Sequence, residues 1–309
     1  DIIRKEKQRI IKELGFFPQL ENIIQNTENK IKLQTYVINL DKRNDRLDYI
    51  KEQLKIPFER FSAIDGTKIE NYFEEELFQD YFNKMDGKEC SFGEVGCKLS
   101  HLKLWSQITD STLILEDDIK VHDTTFDNLK NINQEIHQLK EWDIIYLGGQ
   151  WTPKYGPQSK SHMKEHTILE KHMNSMFSKE TEHLYKRANN NDCTGFSPIY
   201  RATGAYMISK KGAQKLLQLM KEDINFFINH PLDIWLLALE KEKKVIYYDY
   251  FEHPFYQGGF DLVKEECLLK TDIQRGEKKK FVFEKKQKIL EQFDFIQGKD
   301  IMNHDLGKE

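Results

Sequence analysis

The sequence predicts an α/β protein whose mainly parallel sheet carries helices on both faces. Three observations predict it. Short apolar runs such as Tyr36-Val37-Ile38, Leu113-Ile114-Leu115 and Ile144-Ile145-Tyr146-Leu147 do not alternate with polar residues, which marks strands buried on both sides. Stretches of helical periodicity separate these runs. Polar or turn-forming residues follow several of the predicted strands: Asn39 to Arg43, Asp65-Gly66, Glu116 to Asp118 and Gly148-Gly149. Ligands of such sheets gather at strand carboxyl ends.

The elements follow in order. Residues 1–34 are charged, with apolar Ile3, Ile10, Ile11 and Leu14, and read as a helix on the outside of the domain. Thr35 to Leu40 is a buried strand. Asp45 to Leu54 is a helix, with Leu47, Ile50 and Leu54 spaced by three and four. Phe58 to Ile64 is a second strand, stopped by Asp65-Gly66. An acidic stretch, Glu70 to Asp80, comes next. In Gly93 to Trp105 the residues Val95, Leu99, Leu102 and Trp105 share one helical face. Thr112 to Leu115 is a strand running into Glu116-Asp117-Asp118. Phe126 to Leu139 is helical, and Trp142 to Leu147 is a strand.

Residues 150–200 break this rhythm, being polar and carrying His162, His166, His172 and His183. A stretch of this length inside a domain reads as a functional insertion or lid. The histidines read as solvated loop residues, since no carboxylate motif frames them. Regularity returns with the strand Ala205 to Ile208 and the helix Lys211 to Met220. Pro231-Leu232-Asp233 opens a helix through Leu239, and Val245 to Tyr248 is the last strand. Lys278 to Phe293 reads as a C-terminal helix. No repeat and no Pro/Gly/Ser-rich linker divides the chain. The expected organisation is one domain, 35–265, with helical extensions at 1–34 and 266–309.

Composition narrows the function. Forty-seven basic residues nearly balance fifty-one acidic ones, for a net charge of −4, so nothing draws the chain to nucleic acid or an anionic membrane. No apolar run approaches the ~20 residues that span a bilayer. The four cysteines, Cys90, Cys97, Cys193 and Cys267, lack zinc-ribbon spacing and read as free thiols. No signal-peptide pattern opens the chain, which starts at Asp1 rather than Met, and there is no Asn-x-Ser/Thr sequon. The compartment is left open, with the cytoplasm favoured over the endoplasmic reticulum lumen.

Glu116-Asp117-Asp118 is the sharpest chemical feature. Two like charges ~4 Å apart repel by about 1 kcal/mol even in bulk water. A divalent cation would relieve that repulsion, and oxygen ligands suit Mg²⁺ or Mn²⁺. A solvated acidic turn is the plain alternative. A phosphoaspartate pocket is a third, but it wants an acidic pair after the first strand or an Asp-x-Asp motif. The first strand here ends in Asn39-Leu40-Asp41, and the motif reads Glu-Asp-Asp-Ile.

Six segments, in order, resemble glycosyltransferase family 25. They are Tyr36 to Arg46 (YVINLDKRNDR), Gly93 to His101 (GEVGCKLSH), Leu113 to Asp118 (LILEDD), Trp142 to Gly148 (WDIIYLG), Ala205 to Ser209 with Gly212-Ala213, and Pro231-Leu232-Asp233. The resemblance covers about residues 35–260. That family includes bacterial lipooligosaccharide transferases and collagen hydroxylysine galactosyltransferases. The Trp142 segment and Phe255-Tyr256-Gln257-Gly258-Gly259 are closer to the collagen branch.

The resemblance implies a GT-A-type, Rossmann-like fold, a UDP-galactose or UDP-glucose donor, Mn²⁺ (or Mg²⁺) and inversion at the anomeric carbon. Glu116 and Asp118, at the acidic strand end, are the expected metal ligands, and His253, just beyond the last predicted strand, is the candidate to complete the shell, since a neutral imidazole also suits Mn²⁺. Donor binding falls to Asn39, Leu40, Arg43, Arg46, Asp65, Ser100 and Asp117. For the arginines the plain reading is a charge at a helix start, and for His101 a packing histidine. Asp233 is the expected general base, against a first-turn carboxylate favoured by the helix dipole. The expected partners are a UDP-sugar and an acceptor hydroxyl on a collagen-like peptide or a glycan, with no nucleic acid and no membrane span. A homodimer is left open. Residues 150–200 are the expected acceptor-recognition segment. A module that binds sugar nucleotide without catalysis is the reading from another class.

Overall fold

Apolar runs become the centre of an eight-stranded sheet. The structure, a computed structural model, describes residues 33–85, 91–121, 125–151, 177–187, 199–200, 203–250 and 254–257. The helices expected within 1–34 and 266–309 lie outside the described residues, as do His253, His162, His166 and His172.

The main-sheet strands are β1 (Gln34–Asn39), β2 (Glu59–Ser62), β3 (Thr112–Glu116), β5 (Ile144–Tyr146), β7 (Phe177–Lys179), β8 (Leu184–Arg187), β10 (Ala205–Ile208) and β11 (Tyr247–Tyr250). Their spatial order is β2-β1-β3-β10-β5-β11-β8-β7. β1 pairs parallel with β2 and β3, and β5 parallel with β11. β10 is antiparallel to both β3 and β5, and β8 to both β11 and β7. Six strands therefore run one way and two are reversed, which keeps the sheet mainly parallel.

A smaller sheet, in the order β4-β12-β6-β9, is built from β4 (Ile119–Val121), β6 (Gly148–Trp151), β9 (Ile199–Tyr200) and β12 (Phe255–Gln257). Gly148 makes that pairing close. A Cβ there would meet the Phe255 carbonyl oxygen at 2.8 Å.

Both faces of the main sheet are covered, as the non-alternating runs predict. On one face Ile38, Ile114, Tyr206, Ile208, Ile144, Tyr146 and Tyr247 join one apolar cluster. Its other half comes from α2 (Glu76–Lys84), α3 (Phe92–Gln107), α5 (Lys210–Glu222), α6 (Ile224–Asn229) and α7 (Leu232–Lys241). The pleat turns Val37, Leu113, Leu115, Ile145 and Met207 to the opposite face, where they are equally buried. Ile50 of α1 (Asn44–Gln53) and Leu129 and Ile132 of α4 (Thr125–Glu135) are buried outside that cluster. Each such side chain contributes about 1.5–3 kcal/mol.

Helix α3 positions the site. Ser91 and Glu94 form a reciprocal capping box, each side chain accepting from the other's backbone N–H at 3.1 Å. The turn after β2 then lies against α3. A Cβ on Gly66 would sit 1.8 Å from the Phe92 carbonyl oxygen, and one on Gly96 would sit 2.6 Å from that of Ile64. No other residue permits this approach.

Some expectations needed correction. The acidic stretch Glu70 to Asp80, for which no element was expected, overlaps the end of a 3₁₀ helix, Gly66–Tyr72, and the start of α2, whose Phe78 and Tyr81 are fully buried. The strand expected at Val245 to Tyr248 is β11, which begins at Tyr247, and it is not the last, since β12 follows it. The Ile246 N–H is taken by Asp143 Oδ2 at 2.8 Å, and its carbonyl accepts from Asp143 and Ile144. The 150–200 segment is not wholly irregular: β7 and β8 form a hairpin paired with β11. His183, read as a solvated loop residue, is instead bonded to Glu135 and stacked on Tyr250. Among the described residues, no helix is long and apolar enough to cross a membrane.

Candidate active site

The carboxyl ends of β1, β2 and β3 open into a cleft between the sheet and α3. It is lined by Leu40, Lys42, Arg46, Asp65, Ser100 and Glu116 to Asp118, with Cys97 and His101 among the others. Most of the donor-binding and metal-ligating candidates are therefore brought together. Asn39 is buried at the end of β1, 1% exposed, and Asp233, on the first turn of α7, is not among the residues lining the cleft.

The three consecutive carboxylates have separate surroundings. Asp117 turns towards β1 and α1, accepting from Asn39 Nδ2 at 2.8 Å and from Arg46 at 2.8 Å. The Asn39 amide also donates to the Arg43 carbonyl, and its oxygen accepts from Arg60 Nε at 2.8 Å. Asn39 is thus spent on holding the β1–α1 turn against Asp117. Burial pushes the Asp117 carboxyl above its ordinary value, outweighing Arg46 and Asn39. Arg43 is buried, pairs with Asp45 at 2.8 Å, and is not among the residues lining the cleft.

Glu116 turns the other way, to α3 and the start of β10. Its Oε1 accepts from Thr203 Oγ1 at 2.5 Å and lies 3.3 Å from His101 Nε2. His101 Nδ1 meets the Tyr206 hydroxyl at 2.7 Å, which accepts from Trp105 Nε1 at 2.8 Å. When the Tyr206 hydroxyl hydrogen goes to Nδ1, Nε2–H is left to face Glu116. Burial works to raise the Glu116 carboxyl, but His101, Thr203 and Arg46 together hold it below its ordinary value. Glu116 is thus ionised and aimed. His101 fits the packing reading, at 1% exposed, yet it also orients a site carboxylate.

The repulsion that motivated a cation is therefore relieved within the protein for two of the three carboxylates. The case for a metal rests instead on donor chemistry. Among the described residues, Glu116 Oε2 receives no hydrogen bond, and Asp118 lines the same cleft. Two carboxylates at one strand end offer the oxygen donors that Mn²⁺ or Mg²⁺ takes, so the residues fit such an ion.

Ser100 accepts from the Ile64 N–H at 2.8 Å and donates to the Gly96 carbonyl at 2.6 Å. It pins the β2 turn to α3 while lining the cleft. Asp65 caps the 3₁₀ helix and pairs with Lys42 at 3.1 Å. Burial raises its carboxyl, and Thr67 and Lys42 return it below the ordinary value. Cys97 is pushed well above the usual thiol range by burial first, then by the charge of Glu116, with a smaller contribution from Asp233. Asp233 is therefore within electrostatic reach of the cleft wall.

Sequence reasoning passed over Lys42, Cys97, Thr203 and Tyr206 as site residues. Thr203 and Tyr206 stand 87 and 105 positions from their partners Glu116 and His101, and no spacing rule links them.

Comparisons with known proteins give the family. A family described as glycosyltransferase family 25 (LPS biosynthesis protein) matches residues 32–236. Procollagen galactosyltransferase 1 of Danio rerio is 28% identical over 197 residues, 60% of this chain and 28% of its own length. A glycosyltransferase 25 family member of Drosophila melanogaster is 26% identical over 270 residues, 78% of this chain and 39% of its own. The chain thus spans well under half the length of these relatives. Among solved structures, a glycosyltransferase involved in glycosylation of the major capsid of PBCV-1 aligns with a TM-score of 0.35 and 11% identity. That alignment covers 75% of this chain and 96% of the other.

Proposed function

The chain belongs to glycosyltransferase family 25, and from that premise we propose that it transfers a hexose, galactose by preference, from a UDP-sugar to an acceptor hydroxyl with inversion and Mn²⁺ dependence. One observation carries the reading. Glu116 and Asp118 end a buried strand in a cleft that Lys42 and Arg46 also line, so carboxylates for a cation and cations for a diphosphate share one pocket. The similarity to a procollagen galactosyltransferase supports hydroxylysine of a collagen-like protein as the acceptor.

The residues divide the work. Lys42 and Arg46 offer N–H donors and positive charge to the diphosphate. Glu116 and Asp118 would hold Mn²⁺, with His101 and Thr203 fixing the Glu116 carboxylate. When bound, the cation supplies charge that stabilises the departing UDP. Asp233 takes the proton from the acceptor hydroxyl as its oxygen bonds to the anomeric carbon. The bond from that carbon to UDP breaks on the opposite face, and UDP leaves with the electron pair.

The test offers UDP-galactose and UDP-glucose with Mn²⁺, first without an acceptor, then with a hydroxylysine peptide or a lactose-like glycan. Release of UDP and a hexose-bearing peptide are expected. Transfer to the glycan alone would replace the collagen acceptor with a lipooligosaccharide-type one. UDP binding without release would leave a non-catalytic binding module. Full activity in excess chelator would remove the metal.

A further inference from the structure

We propose that Cys97, His101 and Glu116 form a site for a thiophilic divalent cation, with Zn²⁺ as the fitting ion. The site shares only Glu116 with the all-oxygen set at the end of β3. The Cys97 Sγ, a His101 ring nitrogen and a Glu116 carboxylate oxygen lie within 4.8 Å of one another. Cys97 and His101 are four residues apart on α3, one turn above the other. Ligands 2.0–2.3 Å from a tetrahedral Zn²⁺ stand about 3.3–3.5 Å from each other. The His101–Glu116 distance is already 3.3 Å, so only the thiol has to close in, by rotating within an existing cleft wall.

Three further features fit a cation. Glu116 Oε1, the oxygen that faces His101, has two lone pairs, so it can keep the Thr203 hydroxyl on one while it ligates through the other. Tyr206 grips His101 Nδ1 from behind, as outer-shell partners hold ligating imidazoles. Its hydroxyl oxygen has lone pairs for both Trp105 Nε1–H and His101 Nδ1–H once Nε2 ligates. All three ligands line the cleft, which gives the ion a route in and leaves the fourth position to water. On binding, the Cys97 thiol proton passes to solvent. Sulfur selects Zn²⁺ here, whereas Mn²⁺ prefers the oxygen-only pair of Glu116 and Asp118. Because the two sets compete for Glu116, Zn²⁺ opposes Mn²⁺-dependent transfer, a consequence that rests on the proposed function.

The binding itself is tested without any activity. Metal-stripped protein is titrated with Zn²⁺ in a calorimeter, and with Co²⁺ as an optical probe of thiolate ligation. Wild type is expected to bind with a Co²⁺–thiolate absorption. Cys97→Ser should abolish that absorption and weaken Zn²⁺ binding by about 100-fold or more, beyond the 10–100-fold typical of an outer-shell partner. Should Cys97→Ser melt far below wild type, Glu116→Gln takes its place, with the same expected loss of Zn²⁺ affinity. Absence of Zn²⁺ binding in wild type, or full Co²⁺–thiolate absorption in Cys97→Ser, would overturn the site. In a transfer assay, Zn²⁺ should inhibit wild type at least ~10-fold more strongly than Cys97→Ser, each relative to its own activity, on the scale of a lost metal contact. A protein that binds Zn²⁺ through Cys97 but never transfers sugar would sink the proposed function and keep the site.

Discussion

The molecule contains the same chemical pair twice, with opposite uses. His101 and Glu116 face the cleft. His183 and Glu135 sit away from it, where α4 meets the β7–β8 hairpin. At the outer pair every carboxylate oxygen is taken. Glu135 Oε1 meets His183 Nδ1 at 2.5 Å, and Oε2 accepts from the His183 N–H at 3.0 Å and from the Thr181 hydroxyl. Glu182 completes a possible ligand trio with them, but the buried carboxylate is already saturated. At the cleft pair one oxygen stays available. Satisfied valence makes the outer pair a staple, and unsatisfied valence makes the cleft pair a site.

That contrast can be broken or sharpened by substitution. The largest effect is expected at the cleft. Asp233→Asn keeps size and polarity but removes basicity, and should lower kcat by ~10²–10⁴-fold. UDP affinity measured by calorimetry should barely change. Near-normal transfer would remove Asp233 as the base and reduce it to a helix-start carboxylate worth roughly 0.3–1 kcal/mol.

Next in size is Asp118→Asn, which should cost ~10²–10³-fold in turnover, on the scale of losing one electrostatic stabiliser. Its melting temperature should stay near that of wild type. A variant that unfolds but, when folded, transfers normally would make Asp118 structural.

The staple should behave in reverse. Glu135→Gln leaves hydrogen bonds of Thr181 and His183 unmade or mismatched, and should destabilise the fold by about 1–3 kcal/mol. UDP binding should be unaffected. Denaturant unfolding and calorimetry on one preparation separate these outcomes. Weakened UDP binding with unchanged stability would erase the contrast between the two pairs.

The smallest effect is in pH dependence. Burial raises the Glu135 carboxyl, but hydrogen bonds from His183 and Thr181 outweigh it, and the folded value lies below the ordinary 4.5. Its stabilisation is therefore full above that ordinary value and is lost as pH falls through the lower, folded one. Between neutral and acid pH, wild type should lose more stability than Glu135→Gln. Parallel curves would show that Glu135 titrates alike in both states.

How much of this could be read from the sequence depended on distance along the chain. β1, β3 and β10, and the helices α1, α3, α5 and α7, announced themselves through local runs and periodicity. The reversal of β10 did not, because an apolar run buried on both faces has no direction. The small sheet was hidden for another reason: β4 and β12 have three residues each, and only their distant partners make them strands. Phe78 and Tyr81 were legible as i, i+3 positions but were masked by flanking acids. In the site, the Glu116-Asp117-Asp118 run marked the place correctly. It could not show that Asp117 faces Arg46 while Glu116 faces His101, since those partners lie 71 and 15 positions away.

The reversed strand also sets a timetable. β10 lies between β3 and β5, so the edge of β3 closes only when a segment far downstream arrives. Thr203, at the mouth of β10, contacts Glu116 across 87 positions. At a synthesis rate of about 5–20 residues per second, that gap corresponds to roughly 4–18 s. For that interval β1, β2 and β3 can pair with one another, yet Leu113, Ile114 and Leu115 keep an open, adhesive flank. Nascent chains are then exposed to mispairing with their neighbours, and yield in a cell depends on what shields this edge until residue 205 emerges.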